Sequence, residues 1–218
     1  MTPFFIALQF LTRLKIVNQT EWSVEDFGKS VVAFPYVGLI IGLILALLYG
    51  ILSPFIPLVP LMLIIVVAEF LITGGLHADG LMDTSDGLFS GRERERKLEI
   101  MKDSRIGSFG VVAFVFVTLL KWQLLTAIPT AEFIPMALIM MPLMSRWSLV
   151  LSIRSYPYAR KEGMGAAFAN LAPKHVITYN TISTFFMPIV ILIIGAIFYT
   201  LLYGAYSIFS AADVGYVV

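Results

Sequence analysis

Cysteine is absent from the 218 residues, which excludes disulfide staples and thiolate metal sites. Charge is scarce as well. Only 13% of the residues are Asp, Glu, Lys or Arg, against about a quarter in a typical soluble domain. The net charge is +1, so the charge balance gives no reason to expect a nucleic-acid partner. The opening stretch MTPFFIALQFLTRLK places Arg13 and Lys15 after its apolar part. That order is the reverse of a cleaved signal peptide. Residues 2–16 are therefore expected to form a short helix lying in or dipping into a membrane interface.

Apolar residues are what the chain has in abundance. They make up 59% of the sequence, and the mean hydropathy is +0.89. Apolar runs fall at about 31–53, 59–78, 107–128, 133–153 and 181–204, each near the roughly 20 residues that a helix needs to cross a bilayer. The runs are continuous rather than alternating. That pattern predicts helices, which satisfy their own backbone groups in lipid, and not barrel strands. The expected fold is all-α: a polytopic membrane helix bundle of five to six membrane helices with short cytoplasmic helical loops, in one domain over residues 1–218. Helices rich in glycine leave room for a homodimer.

The few charges are segregated. Arg92, Arg94, Arg96, Lys97, Lys102 and Arg105 lie between the second and third runs, and Arg154, Arg160, Lys161 and Lys174 between the fourth and fifth. The connections SPFIPLVP and IPTAEFIP hold no Lys or Arg. The positive-inside rule puts both basic loops on the cytoplasmic side and both neutral turns outside. Cytoplasmic Arg and Lys also set topology and bind lipid headgroups. GRERERKLEIM, with its Glu93–Lys97 i,i+4 pair, is expected to form a short solvated helix.

Against this background the string TGGLHADGLMDTSDG is anomalous. Asp79, Asp83 and Asp86 stand at i, i+4 and i+7, which places them within about 60° of arc on a helix and about 10 Å of rise. A carboxylate at the bilayer centre costs roughly 2.5–3.5 kcal/mol, several times what one Leu returns. The stripe must therefore face water or a cation at the cytoplasmic end of the second span. Hard oxygen donors without Cys suit Mg²⁺, which keeps several waters and pairs with substrate phosphates. Glu69 lies about 15 Å from Asp79 on a straight helix; it joins the metal-ligand candidates only if Gly74–Gly75 breaks that helix. His77 points about 160° away from Asp79, so a supporting or helix-contact role is expected ahead of direct ligation. Arg146, inside an apolar run, either pairs with a buried carboxylate or snorkels to the surface.

Glu69, TGGLHADGLMDTSDG and the later KDSRIGSFG, with LQFLTRL and RSYPYARKEGMGAAF, together resemble the cobalamin synthase (adenosylcobinamide-GDP ribazoletransferase) family. The resemblance covers residues 1 to about 170; the tail beyond departs from the family pattern and lacks its Thr-Gly-Asp. It implies a Mg²⁺-dependent inner-membrane enzyme with a cytoplasmic active site. There a hydroxyl of α-ribazole or its 5′-phosphate attacks the diphosphate of adenosylcobinamide-GDP, and GMP leaves. Such a reaction needs charge neutralisation and in-line positioning. Asp79, Asp83 and Asp86 are the candidate ligands for one or two ions. One of them, or Asp103, is the candidate to take the hydroxyl proton. Lys102, Arg105, Arg154 and Arg160 are candidates to grip phosphate, Gly163 and Gly165 to offer backbone N–H groups, and His77 to line the substrate site. DTSDG also resembles the shorter string of CDP-alcohol phosphotransferases of lipid synthesis. An ion-coupled transporter is the third reading, since intramembrane acids and broken helices mark ion pathways too.

Overall fold

Helices account for all regular structure among the described residues, 2–18, 22–160 and 163–214 of a computed structural model. They run in the order α1 (Pro3–Leu11), α2 (Val24–Lys29), α3 (Phe34–Leu52), α4 (Leu58–Thr73), α5 (Leu76–Phe89), α6 (Arg94–Ile100), α7 (Ser108–Thr126), α8 (Ile134–Ser155), α9 (Met164–Leu171) and α10 (Val176–Val214). Four stretches are long and apolar enough to span a membrane on their own: 24–52, 108–126, 131–155 and 176–194. The pair α4 and α5 qualifies only jointly, which makes five. The nine residues of α1 rise roughly 14 Å, too little to cross. This helix instead buries Ile6, Ala7, Leu8 and Leu11 in the core.

The centre of the bundle is α3 against α8. Gly38 and Gly42, four apart on α3, bring its backbone onto that of α8: a Cβ on Gly42 would stand 2.6 Å from the Ile139 Cα. Small residues at such spacing are how helices associate in lipid, where no hydrophobic force separates helix from solvent. At one end of the bundle the rings of Phe10, Phe27, Phe34 and Phe168 interlock, with Phe27 and Phe168 stacked at 4.5 Å. They tie α1, α2 and α9 to the start of α3. Large apolar side chains such as Leu47, Leu71, Val112, Phe116 and Ile193 are exposed, as acyl-chain contact requires.

The apolar run at 59–78, expected to form one span, is not one helix. It stops at Thr73, Gly74 and Gly75 adopt left-handed φ of 63° and 75°, and α5 departs at 90°. Two consecutive left-handed residues end a helix, and only glycine takes that conformation without cost. Arg13, just after α1, braces the elbow: its N–H donates to the Ile72 carbonyl at 2.7 Å.

Candidate functional site

The three aspartates sit on α5, beyond the elbow and not at the end of a continuous span. They keep their helical spacing. Asp79 is exposed, and Asp83 and Asp86 are half-buried. Asp83 lies within electrostatic reach of Asp79, Asp86 and Arg160, so the acidic face and the second basic loop do come together.

Asp86 has a further task. Its carboxylate accepts the N–H groups of Gly107 (2.7 Å) and Gly110 (2.8 Å). It thereby caps α7, whose own N-cap residue Gly107 has no capping side chain. A carboxylate at a helix N-terminus gains both hydrogen bonds and the favourable end of the helix dipole. The approach needs glycine: a Cβ on Gly110 would stand 2.5 Å from Asp86 Oδ2. Gly110→Ala is therefore expected to push α5 off the start of α7. Most activity should go while the protein still inserts, checked by turnover beside size-exclusion behaviour. Gly107 and Gly110 were not singled out in sequence, although KDSRIGSFG contains both.

Among the described residues, no three His, Asp or Glu side chains gather closely enough to hold a metal ion by themselves. The donor set still fits Mg²⁺, which is held by one or two carboxylates plus water and substrate phosphates rather than by an all-protein cage. Asp79 and Asp83 are the freer donors; Asp86 keeps lone pairs beyond the two that it uses.

Glu69 is not brought to the acids. The break that would have allowed it is present, but the carboxylate is taken by two cations. It accepts from Lys121, and Arg146 Nη1 stands 3.7 Å away. This settles Arg146, which is buried against a carboxylate and does not snorkel. His77 also lies away from the acidic stripe, lining a cavity with Glu69, Lys121 and Arg146, and its Nδ1 has no hydrogen-bond partner.

Lys102 is exposed at the end of α6. Asp103 and Arg105 form a fork: Arg105 Nε and Nη2 reach the two carboxylate oxygens at 3.0–3.1 Å and 2.6 Å. These hydrogen bonds hold the partly exposed Asp103 carboxyl down from 3.8 to about 2. A depressed carboxylate contributes its pairing above its unfolded value and loses it as pH falls through the folded one. The fork's contribution to stability should therefore be complete above pH ~4 and be lost as pH falls towards ~2, where the folded carboxyl takes up its proton. Arg105→Gln should return the Asp103 titration towards 3.8, read by NMR of ¹³C-labelled Asp.

Arg154 and Arg160 line one cavity of about 540 Å³ with Tyr156, Tyr158 and Asn170. Arg160 donates to the Leu98 carbonyl at 3.1 Å and Arg94 to that of Ala159 at 3.3 Å, so the two basic loops meet. Gly163, just before α9, has φ 121°, and a Cβ on Gly165 would stand 2.3 Å from the Tyr158 ring. Lys161 lies outside the described residues.

A membrane helix bundle whose carboxylate stripe faces a basic loop is the class of protein that the fold and the site define. The chain matches the cobalamin-5-phosphate synthase family over residues 3–216, further than the resemblance to about 170 suggested. It belongs to that family. Relatives named adenosylcobinamide-GDP ribazoletransferase include the following three. The one from Desulfitobacterium hafniense is 39% identical over 77% of this chain and 67% of its own length. The one from Acetivibrio thermocellus is 43% identical over 76% and 66%, and that from Fusobacterium nucleatum 42% over 88% and 74%. The chain thus spans about two thirds of the length of the first two. No solved structure matches it.

Proposed function

We propose that this protein transfers the cobinamide phosphate of adenosylcobinamide-GDP to α-ribazole or its 5′-phosphate, with Mg²⁺, at the cytoplasmic face of the inner membrane. The observation that carries the reading is Asp83, set between Asp79 and Asp86 and within reach of Arg160. Bound Mg²⁺ would supply charge neutralisation on the diphosphate oxygens. The chain's own residues do the rest. Asp79 and Asp83 are the residues that would hold the ion. Arg154 and Arg160 grip phosphate oxygens bidentately. The acceptor hydroxyl oxygen bonds to the cobinamide-side phosphorus as the bond to the GMP phosphate oxygen breaks, and the hydroxyl proton passes to a carboxylate of α5. Asp103 suits this last role poorly, since a carboxyl held at about 2 accepts a proton weakly. It serves better to orient Arg105. The products are adenosylcobalamin or its 5′-phosphate and GMP, in cobalamin nucleotide-loop assembly.

Purified protein in detergent with Mg²⁺ and both substrates should release GMP. No GMP above an Asp83→Ala control would count against the reading. CMP release from a CDP-linked lipid would favour the lipid-synthesis alternative, and Mg²⁺-independent ion flux in proteoliposomes would favour transport.

A further inference from the structure

Three charges between α4, α7 and α8, two of them buried, have no part in the chemistry above. Glu69 on α4 is 8% exposed and Arg146 on α8 3%, while Lys121 comes from α7. Among the described residues Glu69 is the one carboxylate paired with either cation, and Arg146 Nε has no hydrogen-bond partner. The group borders a cavity of about 290 Å³ whose other walls include Val66, Phe70, Phe114 and Val117. Phe70 and Val117 are exposed on the outside of the bundle, where acyl chains lie. Charges in such surroundings stay only when paired.

The position of Glu69 in the chain gives the pairing its consequence. It lies five residues before Gly74, on the last turns of α4. From the elbow, α5 runs back along α7. Its far end is held where Asp86 accepts the N–H groups of Gly107 and Gly110 and the Phe89 ring meets that of Phe109 at 5.8 Å. Its near end, at His77 and Leu81, faces Lys121 and Phe114 across the cavity. The left-handed glycines at the elbow supply no stiffness of their own. The acidic helix thus packs directly on α7, while its near end is also placed through α4, which Glu69 ties to Lys121 of α7.

We infer that Glu69 is a positioning residue: by holding Lys121 and Arg146 together it fixes the end of α4 on α7 and α8, and so sets the direction in which α5 carries its aspartates. This rests on the reading of α5 as the reacting helix. Misplacing a reacting group by about 1 Å can cost about 100-fold in rate.

The chain has no cysteine, so two spin labels can be placed without background, at Leu88→Cys on α5 and Leu47→Cys on α3, 53% and 65% exposed. Pulsed electron resonance should give one narrow distance in the otherwise unchanged protein. Glu69→Gln is expected to broaden or shift it, and kcat should fall about 10- to 100-fold with KM nearly unchanged. Glu69→Asp, which keeps the charge, should recover part of both. If Glu69→Gln does not fold, Lys121→Gln decides. It leaves the Glu69–Arg146 pair and should broaden the same distance. An unchanged distance in the variants overturns the inference, even if kcat falls. A broadened distance in a protein that never releases GMP would support Glu69 as the clamp and remove the proposed reaction instead.

Discussion

Asp83→Asn is expected to lower Mg²⁺-dependent GMP release by at least about 100-fold, the scale lost when one preorganised electrostatic group is removed from a transition state. The side chain keeps its size and one oxygen, so folding should be untouched. Asp79→Asn and Asp86→Asn should also remove most turnover. The three differ in stability. Asp86 accepts from Gly107 and Gly110 with its two oxygens, and an amide keeps only one acceptor, so Asp86→Asn should cost about 1–3 kcal/mol for the N–H left unpaired. Asp79 is exposed and should cost almost nothing. Turnover measured beside thermal unfolding separates the two roles. Near-normal rates for all three variants would exclude them as metal ligands.

The contrast between Asp83 and Asp86 shows where sequence reading stops. Spacing alone placed the three carboxylates on one helical stripe, because 3.6-residue periodicity is a local property. Long apolar runs likewise announced the membrane bundle, and the segregated Arg and Lys announced loops that do meet. Three things were left undecided. A break at Gly74–Gly75 was open in the sequence, but membrane helices also carry glycine through their packed faces, so spacing alone did not choose between a bend and a continuous span. Asp86 finds Gly107 and Gly110 more than twenty residues away, a pairing that only tertiary packing creates. Glu69 was grouped with the other acids because carboxylates share a chemistry. Its partners Lys121 and Arg146 come from two later helices, and no periodicity links them. Residues that act through contact across the bundle are invisible to spacing; those that act from one turn of helix are not.

Gly42→Leu is expected to prevent most of the protein from reaching its folded state. The cause is steric. Even a single Cβ at this position would stand 2.6 Å from the Ile139 Cα and 2.7 Å from its carbonyl oxygen. Both are backbone atoms and cannot rotate away, so α3 and α8 must separate. Gly42→Ala should already cost about 1–3 kcal/mol, as overpacking does, and Leu adds three more carbons. That is a large share of a total stability of about 5–15 kcal/mol. Gly50→Leu on the same helix is the control, since nothing lies within 4 Å of a Cβ there; it should unfold at the temperature of the unaltered protein. Thermal unfolding in detergent, followed by tryptophan emission, reads the difference through Trp147 on α8, whose ring meets Phe185 at 5.8 Å. The same helix carries Arg146 against Glu69 and Arg154 into the basic loop. The close fit of α3 therefore bears on catalysis as well as folding: any variant at Gly42 that still folds should turn over more slowly, because α8 has moved.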